Sequence, residues 1–151
     1  MSFQLIKCAA DGSPVEPISG LPAQITANCA ATAGLFRRIG YCDPWVGYVA
    51  VDAGVAVGGG AFVGAPRDNH VEIAYYTLKE WERRGYAKRT AAGLITIATL
   101  AQPGIVVRAF TLPEHNASTA VLQALGFVHV GDSHDPDAGA TWEWQLVAKQ
   151  P

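Results

Sequence analysis

Apolar residues recur along this chain with two different periods, and the switches between them outline the elements. "FQLIKC" (residues 3–8) is a short strand. Pro22 suits a first helical turn, and Ile25, Cys29, Thr32, Phe36 and Ile39 follow at helical spacing, with Arg37 and Arg38 near the end. "GYCDPW" breaks that helix. "GYVAV" and "VAVGGGAFV" read as two strands joined by a turn at residues 52–54, and "VEIAYYT" as a third after the loop "APRDN". A helix is expected from Gly85 to about Gln102, with Ala87, Ala91, Leu94, Ile95, Ala98 and Ala101 as its buried stripe and Pro103-Gly104 as its stop. "IVVRAFT" (105–111) is an apolar strand interrupted by one arginine. Ala117, Ala120, Val121, Ala124 and Leu125 then give a short helix, which Gly126 ends. "FVHVGD" and "TWEWQLV" close the chain as strands; in the second, Trp142, Trp144 and Leu146 form one apolar face.

The order β-α-β-β-β-α-β-α-β-β combines an antiparallel, hairpin-rich half with one strand-helix-strand crossover. That is the pattern of an α/β (α+β) fold with a mixed sheet. It predicts that the strand at 105–111 lies parallel and next to the strand at 71–77. No repeat or linker interrupts the pattern, so residues 1–151 are expected to form a single domain. The glycines of "VGGGAFVG" are not followed by a helix or by G-K-[ST]. They read as strand positions that make room for a neighbour, and not as a nucleotide loop.

Composition narrows the function classes. The formal net charge of −2 argues against a general nucleic-acid binder, which usually carries a basic patch. Cys8, Cys29 and Cys42 are odd in number and form no C-x-x-C pair, which fits reduced thiols in a cytoplasm better than disulfides or zinc. No run approaches the roughly 20 apolar residues that span a bilayer, and no signal peptide is evident at the N-terminus. No metal site is expected.

The chemistry-bearing stretch is "VEIAYYTLKEWERRGYAKRT", which passes from strand to helix. A helix start leaves about four backbone N–H groups unpaired and carries roughly half a positive charge, so it holds phosphate where the backbone is bare. Gly85 and Ala87 keep it bare, and Arg83, Arg84 and Lys88 surround it with cations. The alternative is a simple turn with solvated arginines.

Together with "TLPEHNASTAVLQALGF", this stretch resembles the GNAT superfamily of acyl-CoA-dependent N-acetyltransferases, whose signature is Q/R-x-x-G-x-G/A at a helix start, followed by an Asn-containing loop, a short helix and Gly-Phe. Here the residues are Glu82-Arg83-Arg84-Gly85-Tyr86-Ala87, then Asn116, Ser118 and Gly126-Phe127. The likeness covers nearly the whole chain and is nearest the branch of ribosomal-protein N-terminal acetyltransferases. It implies acetyl-CoA as cofactor. Backbone groups of Tyr75, Tyr76 and Thr77 would pair with pantetheine amides. Backbone N–H groups from Arg83 through Arg84, Gly85, Tyr86 and Ala87 to Lys88 would hold the pyrophosphate, and Asn116 and Ser118 would contact the cofactor arm. Glu82 departs from the usual Gln or Arg, and His115 competes with Asn116 for the family's asparagine position.

Acyl transfer needs a deprotonated amine, a polarised thioester oxygen and a stabilised thiolate. Glu72 is the best base on the central strand, acting directly or through water; its bland alternative is a strand-edge carboxylate paired with an arginine such as Arg67. His70 and His115 are weaker candidates. Many superfamily members have a tyrosine where this chain has Leu122, so Ser118 or water is left to serve the thiolate. At neutral pH a lysine amine (pKa ~10.4) is neutral about once in 2,500 molecules and an α-amine (pKa ~7.8) about once in seven, a difference of roughly 3.5 kcal/mol. A site without a strong base therefore suits a peptide N-terminus or a small-molecule amine better than lysine. The rival expectations are a non-catalytic acyl-CoA-binding module and a structural subunit of a homodimer.

Overall fold

In the computed structural model, which describes residues 2–147, the strands are β1 (Phe3–Lys7), β2 (Gly47–Asp52), β3 (Val55–Phe62), β4 (His70–Thr77), β5 (Val106–Thr111), β6 (Val128–Asp135) and β7 (Gly139–Val147). The helices are α1 (Ala23–Ile39), α2 (Tyr86–Ala101) and α3 (Ala117–Ala124). All seven strands form one sheet in the order β1-β2-β3-β4-β5-β7-β6. β4 and β5 run parallel, as the crossover through α2 predicts, and every other neighbouring pair is antiparallel.

The differences from expectation lie at element ends. Pro22 is the N-cap of α1 in extended conformation, not part of its first turn, and Gly85 and Gln102 cap α2 from outside. β6 and β7 each extend further into their hairpin than the apolar pattern shows, because backbone pairing continues through polar residues such as Ser133 and His134. A short 3-10 turn at Lys79–Trp81 has no sequence signal of its own.

The helices divide between the two sheet faces. A Cβ on Gly47 would lie 3.0 Å from Thr32 Cγ2 of α1, and one on Gly60 would lie 2.9 Å from Leu94 Cδ1 of α2. Alternation along the strands carries this assignment across the sheet. Val71, Ile73, Val107 and Ala109 point to the α2 face and join Leu94, Ala98 and Leu122 of α3 in the main core. On the other face Ile25 of α1 packs with Val49 and Val51. The glycines of β3 do make room: a Cβ on Gly59 would meet the Tyr76 ring at 3.0 Å. Trp144 is buried in the main core and donates Nε1–H to Thr111 Oγ1 at 3.0 Å.

Candidate active site

The parallel ladder between β4 and β5 has three rungs, His70–Val106, Val71–Val107 and Glu72–Arg108, and then stops. Beyond Glu72, the segment 73–77 remains paired with β3, but its other edge has no partner in β5. Strand-edge N–H and C=O groups must be satisfied by something. The fork therefore offers an extended amide-bearing molecule a ready ladder. Tyr75, Tyr76 and Thr77 lie on this free edge. Thr77 adds a second sign of a missing partner: its Oγ1 is buried and, among the described residues, makes no hydrogen bond.

The fork leads to the start of α2. Arg83 and Gly85 both have positive φ, +65° and +83°, so the chain turns sharply there. Gly85 is the N-cap, and Arg89 N–H is the first to find a helical carbonyl, Gly85 O at 3.1 Å. The N–H groups of Tyr86, Ala87 and Lys88 precede it. No atom lies within 4 Å of where a Gly85 Cβ would stand. Open space, bare backbone and a helix N-terminus fit a pyrophosphate. Side chains brace the turn. The Tyr86 hydroxyl donates to Asp52 at 2.6 Å, and the Arg84 guanidinium lies 5.0 Å from the Trp81 ring centroid. Glu82 closes the 3-10 turn and is exposed.

Glu72 sits at the point of the fork. It shares a face with Ala74 and lines a cavity of about 440 Å³ between β5 and the β6–β7 hairpin, with Phe110, Ser133, His134 and Asp135. Burial, above all, holds its carboxyl above the usual range; the Arg108 charge opposes this, while Asp135 and Glu143 add to it. The arginine beside it is Arg108, not Arg67, whose backbone pairs with that of His70. Arg108 is itself committed: Nε donates to Glu143 Oε2 at 2.8 Å, and this bond keeps the Glu143 carboxyl below its ordinary value. Glu72 thus has a cation nearby but no ion-pair partner among the described residues. The Arg108–Glu143 pair has no motif in the sequence. Its only trace is that Arg108 breaks an apolar strand and Glu143 lies between two tryptophans.

The Asn116 segment is organised as a helix start. The Asn116 side-chain oxygen accepts from Thr119 N–H at 3.2 Å, and Thr119 Oγ1 accepts from Asn116 N–H at 2.9 Å, a reciprocal capping box. Its amide nitrogen is left for other partners. Ser118 is exposed in the first turn of α3. Leu122 is fully buried and cannot serve the chemistry. His115 packs edge-on against Trp142 with centroids 5.1 Å apart, and His70 Nδ1 is 2.7 Å from Asp68 O, so both histidines have local roles.

A second cavity, of about 310 Å³, lies under α1 over β2, β3 and β4. Cys8 and Cys29 meet on its wall. The Cys8 thiol, donating to the Cys29 sulfur, brings Cys29 down to about 7, and the same bond with burial pushes Cys8 up. Nothing in the spacing of these cysteines signals their meeting. Among the described residues, no cluster of side chains suits a metal ion, and no helix is long and apolar enough to cross a membrane.

The model of the acetyltransferase (GNAT) domain family matches residues 19–128. No curated protein sequence matches the chain. Among solved structures, RimL, a ribosomal L7/L12 alpha-N-protein acetyltransferase, in complex with coenzyme A superposes with a TM-score of 0.72 at 12% identity, covering 100% of this chain and 97% of that one. Ard1 from Thermoplasma volcanium gives 0.71 at 14% identity, with 99% and 100% covered. YncA from Salmonella typhimurium, solved with its cofactor acetyl-CoA, gives 0.66 at 16% identity, with 100% and 96% covered. At such identities the likeness is one of fold.

Proposed function

Since this chain belongs to the GNAT acetyltransferase family, whose members catalyse acetyl-CoA-dependent acetyl transfer, we propose that its acceptor is a primary amine, either a peptide N-terminus or a small-molecule amine, and that Glu72 is the base. The observation that carries this reading is the place of Glu72. It is a half-buried carboxylate at the last rung of the β4–β5 ladder, facing a cavity and, among the described residues, free of an ion pair.

Acetyl-CoA supplies an activated acyl group as a thioester. The chain's own groups do the rest. The free edge of β4 from Tyr75 to Thr77 holds the pantetheine arm by strand-like hydrogen bonds, and the Thr77 hydroxyl gains the partner it lacks. The turn from Arg83 to Lys88 holds the pyrophosphate on backbone N–H groups. The Asn116 amide nitrogen, which the capping box leaves unused, and the exposed Ser118 hydroxyl would contact the arm from the start of α3.

An amine reaches the site as a cation and must lose a proton before it attacks. A carboxylate whose proton affinity is raised by burial is a better acceptor than an exposed one, since base strength follows pKa. Glu72 takes that proton directly or through one water. A backbone N–H of the β4 edge polarises the carbonyl. The departing thiolate is met by Ser118 or by water, because Leu122 has no proton to give.

Thiol release from acetyl-CoA, followed over a panel of primary amines, tests the reading. Turnover with at least one α-amine that depends on Glu72 supports it. Tight acetyl-CoA binding with no turnover on any amine, at any pH from 6 to 9, would overturn it.

A further inference from the structure

Gly47 pairs with Ala61 across β2 and β3, and Ala61 pairs with Ala74 across β3 and β4. Directly opposed residues share a face, and Gly47 faces Thr32, so all three point toward α1. This row has no side chain longer than a methyl group, and the space it leaves under the helix is the 310 Å³ cavity. Asn28, Thr32 and Phe36 of α1 close it from above. The row ends at Ala74, which is exposed although it lies in mid-strand. Glu72 is two residues back on the same face, about 6.5 Å along the strand. Ala74 is thus the lining residue of β4 nearest in sequence to Glu72, which itself lines the other cavity.

Its chemistry is one-sided. None of the residues that line it is Asp, Glu, Lys, Arg or His. The cavity at Glu72, by contrast, holds Asp135 and His134 as well. The one lining group whose anion is favoured is Cys29, on the wall where it meets Cys8; a cation carried under α1 would lose its hydration for at most that one partial counter-charge, whereas an apolar group would lose only unfavourable hydration.

On the basis of the acetyltransferase reading above, we infer that the acceptor is an amine bearing an uncharged, apolar group within a few bonds of its nitrogen, and that this group fills the cavity over Gly47, Ala61 and Ala74. An α-amine with a leucine- or phenylalanine-like side chain has this shape. Diamines and polyamines, which carry a second charge, do not.

The test is steady-state thiol release by the full chain at saturating acetyl-CoA, with L-phenylalaninamide, L-leucinamide, glycinamide, putrescine and Nα-acetyl-lysinamide. Filling an apolar pocket is expected to favour the first two over the other three by on the order of 10²-fold in kcat/KM. Ala61→Leu, which fills the row, should reduce the ratio of phenylalaninamide to glycinamide at least tenfold; Ala61→Gly should keep it. Equal or higher kcat/KM for glycinamide or putrescine overturns the inference, and so does an unchanged ratio in an Ala61→Leu protein that melts normally and binds acetyl-CoA. If Ala61→Leu does not fold, the parent's panel and Ala61→Gly decide. Failure on every amine, with acetyl-CoA still bound, overturns the amine-acceptor reading itself and this one with it. A preference for small or doubly charged amines overturns this one alone.

Discussion

Glu72 and Arg108 stand opposite each other on the last rung between β4 and β5, yet the arginine gives its hydrogen bond to Glu143 instead. The carboxylate at the fork is left with an attractive charge in view but no bond to it, and burial dominates its proton affinity. A full ion pair would lower that affinity and make Glu72 a weaker proton acceptor. The Arg108–Glu143 bond thus tunes Glu72 by withholding a partner.

Replacing Glu72, the proposed base, gives the first prediction. Glu72→Gln should lower kcat/KM by ~10²-fold or more, as losses of a general base do, with acetyl-CoA affinity nearly unchanged by calorimetry. Stability should move the other way. Because the folded state raises this carboxyl's pKa, it holds the proton more tightly than the unfolded chain, and Glu72's contribution falls as pH rises from the usual carboxylate range through the raised value. At pH 7 the variant should therefore melt no lower than the parent, and any advantage should vanish near pH 4. A markedly lower melting temperature at pH 7 would assign Glu72 a structural role.

Glu143→Gln releases Arg108. A freed guanidinium is expected to turn toward Glu72 and favour its charged form. The acid limb of the pH–rate profile should then move to lower pH, and the plateau should drop as the base weakens. An unmoved acid limb, in a variant with parental acetyl-CoA affinity, would remove Arg108 from the account of Glu72.

Gly85→Val puts a branched side chain where the pyrophosphate should approach, at a residue with φ +83°. Charge-assisted hydrogen bonds contribute roughly 1.5–3 kcal/mol each, so loss of two should weaken acetyl-CoA binding by on the order of 10²-fold or more. Arg83→Ala and Arg84→Ala should cost less, because exposed charges are screened by salt. Parental affinity in a folded Gly85→Val protein would reduce this segment to a turn.

Asn116 offers a separation of roles. Asn116→Ala removes the cap of α3 and should cost about 1 kcal/mol, or roughly 2–4 °C in Tm. Asn116→Asp keeps the oxygen that Thr119 N–H needs and should restore the Tm. If the amide nitrogen also contacts acetyl-CoA, the aspartate variant should still bind it more weakly than the parent; equal binding would leave Asn116 as a cap alone.

Cys29 should alkylate with iodoacetamide in a pH-dependent way, with half-maximal rate near pH 7, because the Cys8 thiol stabilises its thiolate. Cys8→Ser weakens that donor and should move the midpoint upward. Mass spectrometry of the labelled peptide measures both. A parental midpoint above about 8.5, the ordinary thiol value, would show that the two sulfurs do not interact.

Most of the architecture is written in local patterns. Apolar periodicity in α2 and α3 and alternation in β7 reflect which side of each element is buried, the continuous apolar runs of β2 and β3 reflect burial on both faces, and burial acts on single residues at fixed spacing. The parallel placement of β4 and β5 followed from the helix between them, since only a crossover can join parallel neighbours. The turn at the start of α2, the proposed phosphate site, was legible for the same reason: the arginines, Gly85 and Ala87 lie within five residues, and their geometry is that of one helix start. What the chain's order could not carry are relations between distant segments. The three-rung fork depends on where β5 stops following β4, which no residue in either strand announces. The Arg108–Glu143 bond joins positions 35 apart. Cys8 meets Cys29 because β1 and α1 pack together, and the small-residue row exists because Gly47, Ala61 and Ala74 fall in register on three strands. Each is a product of pairing register and packing, which are settled only when the whole sheet closes on its core. Local propensity could therefore place the glycine turn at the start of α2, but the surroundings of Glu72 and the shape of the cavity under α1 were decided by the tertiary structure.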